Sequence, residues 1–392
     1  MNTASFPNRN IWLLCLSQAI LLTHSITLVT IDGLVGAQLA PHAKWSTLPI
    51  TAFVFGSALI ILPAAFFMQR FGRRLGFSLA ALFGMAGCAC SAFAIWQQNF
   101  WLLCLGAIFI GNYMGIGQYY RFAASEVVDA NFKSKAISWV LAGGIVGGVV
   151  GPELSKFTRD LMPTAFVGSF IIMMLLSAAA FFLARQLNIP HSRNHNASAP
   201  QARALFTIIR QPIFIIAVLG AALGSGVMSL LMTATPLAMH AHHHSYNATA
   251  FVIEWHVIAM FLPSFFTGHL IQKHGAQKVM LAGIAFNILA LGFAFSHLQV
   301  LDFWLSLVCV GIGWNFLFIG GTTLLTHVCL PGEQAKVQGS NDFLVLCAQL
   351  IASLSAGFLL AKGGWLALNI IALPFVLLVL VAVLFLREPR TT

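Results

Sequence analysis

Residues 68–76 read MQRFGRRLG, three arginines within nine residues, in a chain where 8% of residues are charged and 59% are hydrophobic. Long apolar runs flank the stretch on both sides. Lys and Arg close to the ends of membrane spans resist translocation, so such a basic knot holds its loop in the cytoplasm. A weaker copy stands 203 residues further on. Gln69-Arg70-Phe71-Gly72 is echoed by Gln272-Lys273-His274-Gly275, NFWLLC at 99–104 by DFWLSL at 302–307, and Asn112 by Asn315, all at this one offset. Three matches at one spacing define a tandem repeat.

Outward from this loop, the 392 residues have a mean hydropathy of +0.88, far above that of soluble chains. A segment of about 20 apolar residues crosses the hydrocarbon as a helix. Twelve such spans are expected, at 11–36, 46–69, 75–95, 101–124, 136–158, 163–185, 212–238, 249–271, 277–297, 302–328, 338–361 and 365–386. The fold class is therefore an all-α membrane protein, twelve transmembrane helices in two pseudo-symmetric six-helix bundles. The first run follows Arg9 and is too long for a signal-peptide core, so it reads as a retained span. The polar stretch QLNIPHSRNHNASAPQARA at 186–204 divides the chain, giving an N-terminal bundle at 1–185, a cytoplasmic linker at 186–211 and a C-terminal bundle at 212–392. Because each repeat holds an even number of spans, the halves are parallel copies about an axis along the membrane normal.

With both termini in the cytoplasm, sixteen basic residues fall inside: Arg9, Arg70, Arg73, Arg74, Arg121, Lys133, Lys135, Arg185, Arg193, Arg203, Arg210, Lys273, Lys278, Lys336, Arg387 and Arg390. Four, Lys44, Lys156, Arg159 and Lys362, fall outside. The net charge of +10 thus reports topology in an inner membrane and contact with anionic membrane lipid, and not nucleic-acid binding. Seven cysteines without a C-x-x-C pair read as structural thiols.

Twelve spans, two halves, a central linker and a G-R-R loop between spans 2 and 3 resemble the major facilitator superfamily. Of that family's loop motif, G-x-x-x-D-R-x-G-R-R, this chain keeps Arg70, Gly72, Arg73 and Arg74; Ala65 stands at the first glycine and Gln69 at the acid. In the second half Gly268 and Gly275 match, and Gln272 again replaces the acid. Glu126 and Asp129, beyond span 4, are the candidate substitutes, which makes Arg70, Arg73, Arg74, Glu126 and Asp129 the expected cytoplasmic gate. Span 5 carries GGIVGGVVGPE, which resembles a glycine motif associated with exporters; glycines at this spacing equally serve close helix packing.

Ionisable groups within a span are functional candidates because burying them is costly. His24 and Asp32 in span 1 and Glu254 and His256 in span 8 are the candidates for proton coupling, with an outer-rim ion pair as the alternative for span 8. Asn112 and Asn315 each follow a Phe-Trp by about ten residues, hence about 15 Å into the membrane. The resemblance implies a substrate site at that depth, between the halves. Asn112, Tyr113, Tyr119 and Arg121 of span 4, Ser229 of span 7, and Trp314, Asn315, Phe318 and Thr322 of span 10 are the candidate substrate-binding residues, with interhelical bonding as the competing use of the asparagines. The arginine common in the family's span 4 is replaced by Gly111. MHAHHHS at 239–245 gathers imidazoles on an outer loop without carboxylate or cysteine partners, so it reads as a hydrated loop and no metal site is assigned.

The function these residues imply is secondary active transport of a small-molecule substrate by alternating access, coupled to protons. The chain shows no P-loop and no catalytic signature, so neither an enzyme nor a cofactor is expected. Within the fold the alternatives are a metal-chelate uptake permease of siderophore type and a drug or metabolite exporter; outside it, a membrane-embedded solute receptor without transport. The family's default state is a monomer.

Overall fold

The computed structural model describes residues 8–129, 132–189, 203–328 and 333–385. Arg193, Arg387, Arg390, Cys329 and residues 190–202 of the expected linker lie outside them, as do the side chains of Lys133, Lys135 and Lys336. Every regular element among the described residues is helical. The first seven α-helices are α1 (Arg9–Leu39), α2 (Leu48–Phe71), α3 (Arg73–Trp96), α4 (Phe100–Gly117), α5 (Tyr120–Glu126), α6 (Lys133–Thr158) and α7 (Val167–Gln186). The remaining seven are α8 (Leu205–Ile209), α9 (Pro212–Ala241), α10 (Tyr246–Phe261), α11 (Ser264–His274), α12 (Ala276–Gly292), α13 (Val300–Val328) and α14 (Gln334–Leu384).

Among the described residues ten helices, or eleven when the bent pair α10–α11 counts as one span, are long and apolar enough to cross a membrane. The pair turns by 41° next to Pro263, whose ring removes a backbone N–H. The 51-residue α14 is interrupted at Gly364, with φ 67° and ψ −170°, and so holds both of the last two expected spans. With that division the count fits the twelve expected.

The chain forms two compact units, Met1–Asn194 and His195–Thr392. Inside the first, the main helix pairs are α1 with α6, α2 with α4, α3 with α4 and α3 with α7. Inside the second, α9 and α12 pack on the two parts of α14, and α10 and α12 on α13. The pairing of the first unit recurs in the second, where α9 also packs closely on α13, a contact that is slight between α1 and α4.

The repeated Gln-x-x-Gly explains how each bundle turns its corner. Gly72 and Gly275 have φ 88° and 85°, backbone that only glycine adopts without strain. Each closes the helix before it, Gly72 N–H donating to Met68 O and Gly275 N–H to Ile271 O, both at 2.8 Å. The next helix starts on the following residue. The glycines of span 5 serve packing: a Cβ on Gly143 would lie 2.6 Å from Cys15 O, and one on Gly147 2.6 Å from Thr23 N. Thr27 Oγ1 donates to Gly151 O at 3.0 Å, so α6 lies backbone to backbone on α1.

Candidate functional site

At the expected cytoplasmic end of the first unit, Arg73 forms a two-pronged pair with Glu126, Nη2 to Oε1 at 2.5 Å and Nε to Oε2 at 3.1 Å. Its guanidinium lies 5.6 Å from the centre of the Tyr119 ring, whose hydroxyl donates to Ile61 O at 3.0 Å. Tyr119, expected against substrate, belongs to this charged corner instead. Arg70 lies over Phe71 and Arg121 over Phe122, while Arg74 and Asp129 are exposed. Of the five expected gate residues, Arg73 and Glu126 are the two joined here.

Within α1, His24 is buried. Nδ1 is 2.8 Å from Ile20 O, and Nε2 is 2.7 Å from Met173 O and 2.8 Å from Ser177 Oγ, both on α7. Asp32, eight residues and about 12 Å along the helix, is fully buried, and both its carboxyl oxygens lack a hydrogen-bond partner among the described residues. Tyr113, expected beside substrate, is packed inward. It has no exposed surface and meets His24 edge-to-face at 5.3 Å, inside the first unit's hydrophobic core. Asn112, one residue away, keeps an unpartnered Oδ1 among the described residues.

The second unit treats its matching asparagine differently. Asn315 is 1% exposed; Nδ2 donates to Met260 O at 2.7 Å and Ser264 Oγ at 2.6 Å, while Oδ1 accepts from Thr267 Oγ1 at 2.7 Å. All three partners flank the bend in span 8. Its amide braces that bend, which is the interhelical use weighed against contact with substrate. Replacing Asn315 with Ala leaves buried polar groups unpaired and is expected to destabilise the fold by about 2–3 kcal/mol. A thermal-unfolding series on the purified protein checks this, and an unchanged melting temperature would return Asn315 to the lining.

Trp314 and Phe318, one turn apart on α13, are half-buried and stack in parallel, ring centres 5.0 Å apart at 16°. Trp314 Nε1 donates to Ser225 Oγ of α9 at 2.9 Å, which fixes the plane of the indole. Thr322 bonds back to Phe318 O at 2.6 Å, and Ser229 Oγ donates to Gln349 O at 3.4 Å. In α10, Glu254 and His256 are two residues apart on a continuous helix, hence about 200° apart around it. His256 is fully buried with Nδ1 2.7 Å from Leu307 O, whereas Glu254 is half-buried. They do not share a face.

Within the histidine tract His244 is tied down locally, Nε2 2.8 Å from Leu298 O and the ring 5.8 Å from that of Phe303, whereas His240, His242 and His243 are exposed. No group of three or more potential metal ligands occurs among the described residues. One ion pair went unforeseen. Arg203, at the start of the described second unit, grips Glu333 ahead of α14. The residues lie 130 apart with no common motif, so only an acid in an expected basic loop hinted at it.

Apolar helices repeated in two units, with polar and aromatic side chains inside each, make a multi-pass membrane protein. Residues 14–253 and 218–392 match the Major Facilitator Superfamily, and the chain belongs to that family. It is 40% identical over 392 residues to the riboflavin transporter RfnT of Brucella anthropi, covering 100% of this chain and 98% of that protein. It is 27% identical over 363 residues to the uncharacterized MFS-type transporter YddS of Bacillus subtilis, covering 87% and 82%. A crystal structure of a D-xylose–proton symporter superposes with a TM-score of 0.78 at 14% identity, covering 97% and 99%.

Proposed function

We propose that this protein is a secondary active transporter of riboflavin, or of a solute with the same planar ring system. It works by alternating access, coupled to protons, in the inner membrane with both termini in the cytoplasm. The observation that carries the solute is full-length identity of 40% to a riboflavin transporter. The stacked Trp314–Phe318 pair supports it, because a planar heteroaromatic ring gains most from a flat aromatic partner held in one orientation. Asp32 supports coupling, since an unpartnered carboxylate is costly inside the membrane and gaining a proton relieves that cost. The gate role of Arg73 and Glu126 is part of the same proposal.

The export reading loses its one feature, because the span 5 glycines are accounted for by contact with α1.

The test is riboflavin uptake into liposomes containing purified protein, followed by flavin fluorescence with and without an imposed proton gradient. Wild type is expected to take up riboflavin faster under the gradient and to ignore xylose. Trp314→Ala should lower uptake per folded molecule about tenfold, equivalent to a lost stacking partner at about 1–1.5 kcal/mol. Folded wild type that binds riboflavin without moving it would support a receptor, and neither binding nor flux would end the flavin assignment.

A further inference from the structure

We propose that His24 is carried as an imidazolium, and that its proton is the clamp holding α1 against α7. The argument is one of donors and acceptors. Nδ1 faces Ile20 O at 2.8 Å and Nε2 faces Met173 O at 2.7 Å, and a carbonyl oxygen can only accept. A neutral imidazole has one N–H, so one ring nitrogen would present a lone pair to a carbonyl lone pair at hydrogen-bond distance. The imidazolium donates from both and satisfies both. Ser177 Oγ, 2.8 Å from Nε2, does not remove the conflict, because donating to a bare Nε2 still leaves Met173 O against the same nitrogen. Its hydroxyl is instead free to act as a second acceptor. His256 shows the contrast: it has one carbonyl, on Nδ1, and no partner on Nε2 among the described residues, which a neutral ring satisfies.

The ring has no fixed counter-ion, and burying a cation in a membrane span is costly, so its own bonds have to offset that cost. Tyr113 of α4 meets the ring edge-to-face, Cys88 of α3 lies near it through Ser177, and Asp32 is the nearest ionisable group along α1. At this level α6 offers Gly144 and Gly147, which abut Leu22 and Thr23. The charged positions of α2, α6 and α7 lie at or near their helix ends, at 70, 133, 135, 153, 156 and 185. Charge-assisted bonds to carbonyls are therefore what stabilises the cation, and they reach from one helix to another. Losing the proton breaks one of the two bonds. Loss from Nε2 turns the Met173 contact repulsive and frees α1 from α7; this is a local event able to bias a helix movement. That coupling step rests on the transport reading above, whereas the protonation state of the ring does not.

Wild-type protein labelled with ¹⁵N-histidine and ¹³C-carbonyl methionine, in lipid nanodiscs at neutral pH, tests the ring directly. The ring nitrogen close to a methionine carbonyl identifies His24, and both nitrogens of that ring are expected to carry protons. One bare nitrogen there overturns the proposal, and this measurement needs no transported solute. In liposomes, His24→Gln, which can donate to only one side, should keep riboflavin exchange and lose gradient-driven accumulation. Accumulation equal to wild type would overturn the clamp's link to transport. Should His24→Gln fail to fold, wild type is read alone: the same ring should lose one proton as pH rises and its contact to the methionine carbonyl should lengthen, and a contact unchanged by pH would refute the clamp.

Discussion

Glu333→Ala is expected to cost about 3 kcal/mol of stability and most of the folded yield, the lower part of the ~3–5 kcal/mol range for stripping one partner from a buried ion pair. Glu333 is 1% exposed and Arg203 32% exposed, so water screens only one side of the bridge. Glu333 Oε1 accepts from both the backbone N–H and Nε of Arg203 at 2.9 Å, Oε2 accepts from Nη2 at 2.6 Å, and Nη2 also reaches Val328 O at 2.9 Å. The bridge ties the segment entering α8 to the ends of α13 and α14. Removing the carboxylate leaves a guanidinium against a carbonyl, without its counter-charge. The matching result is that Arg203→Met with Glu333→Leu recovers most of the loss, since exchanging a whole buried pair for apolar groups is close to neutral. Glu126→Ala, at the more open Arg73 pair where the carboxylate is 41% exposed, should shift stability by no more than about 1 kcal/mol. Thermal unfolding of the four proteins side by side decides it: equal melting temperatures for Glu333→Ala and Glu126→Ala would refute the distinction.

These two ion pairs mark where the sequence could be read and where it could not. Arg73 and its acid lie 53 residues apart, and the degenerate loop motif, a basic run lacking its own acid, prompts a search for one. Arg203 and Glu333 belong to no motif, and Arg203 reads as one more cytoplasmic positive charge. Depth in the membrane is equally legible, because rise per residue is constant; which side of a span faces the bundle interior is not. Asn112, Tyr113 and Asn315 were placed at mid-depth by counting from Phe-Trp. Packing then turned Tyr113 into the core and bound Asn315 to the bend at Pro263. That bend carried a usable signal, since a proline inside a span frees a carbonyl that another helix has to satisfy. The repeat was the strongest signal, because Gly72 and Gly275 repeat the same rare backbone angle and not only the same letter.

Gly111→Val is expected to abolish recovery of monodisperse protein. A Cβ at position 111 would stand 2.1 Å from Phe53 O and 3.0 Å from Ser57 N, and both are backbone atoms of α2. No rotamer relieves a clash with backbone, so the two helices have to separate. The contact is reciprocal: a Cβ on Gly56 of α2 would lie 2.3 Å from Ile108 O of α4, and Ser57 Oγ donates to Gly111 O at 2.9 Å. Parting α2 from α4 therefore loses the interhelical hydrogen bond together with the small-residue seam, a combined effect above about 4 kcal/mol. The same geometry accounts for the missing span 4 arginine. With the α2 backbone at that distance, no side chain fits at 111. Gly292→Ala supplies the control, since no atom lies within 4 Å of a Cβ there, and its yield should equal wild type. Size-exclusion profiles of the detergent-solubilised proteins read the difference; a monodisperse Gly111→Val peak of wild-type height would mean that α2 and α4 are not seated as described.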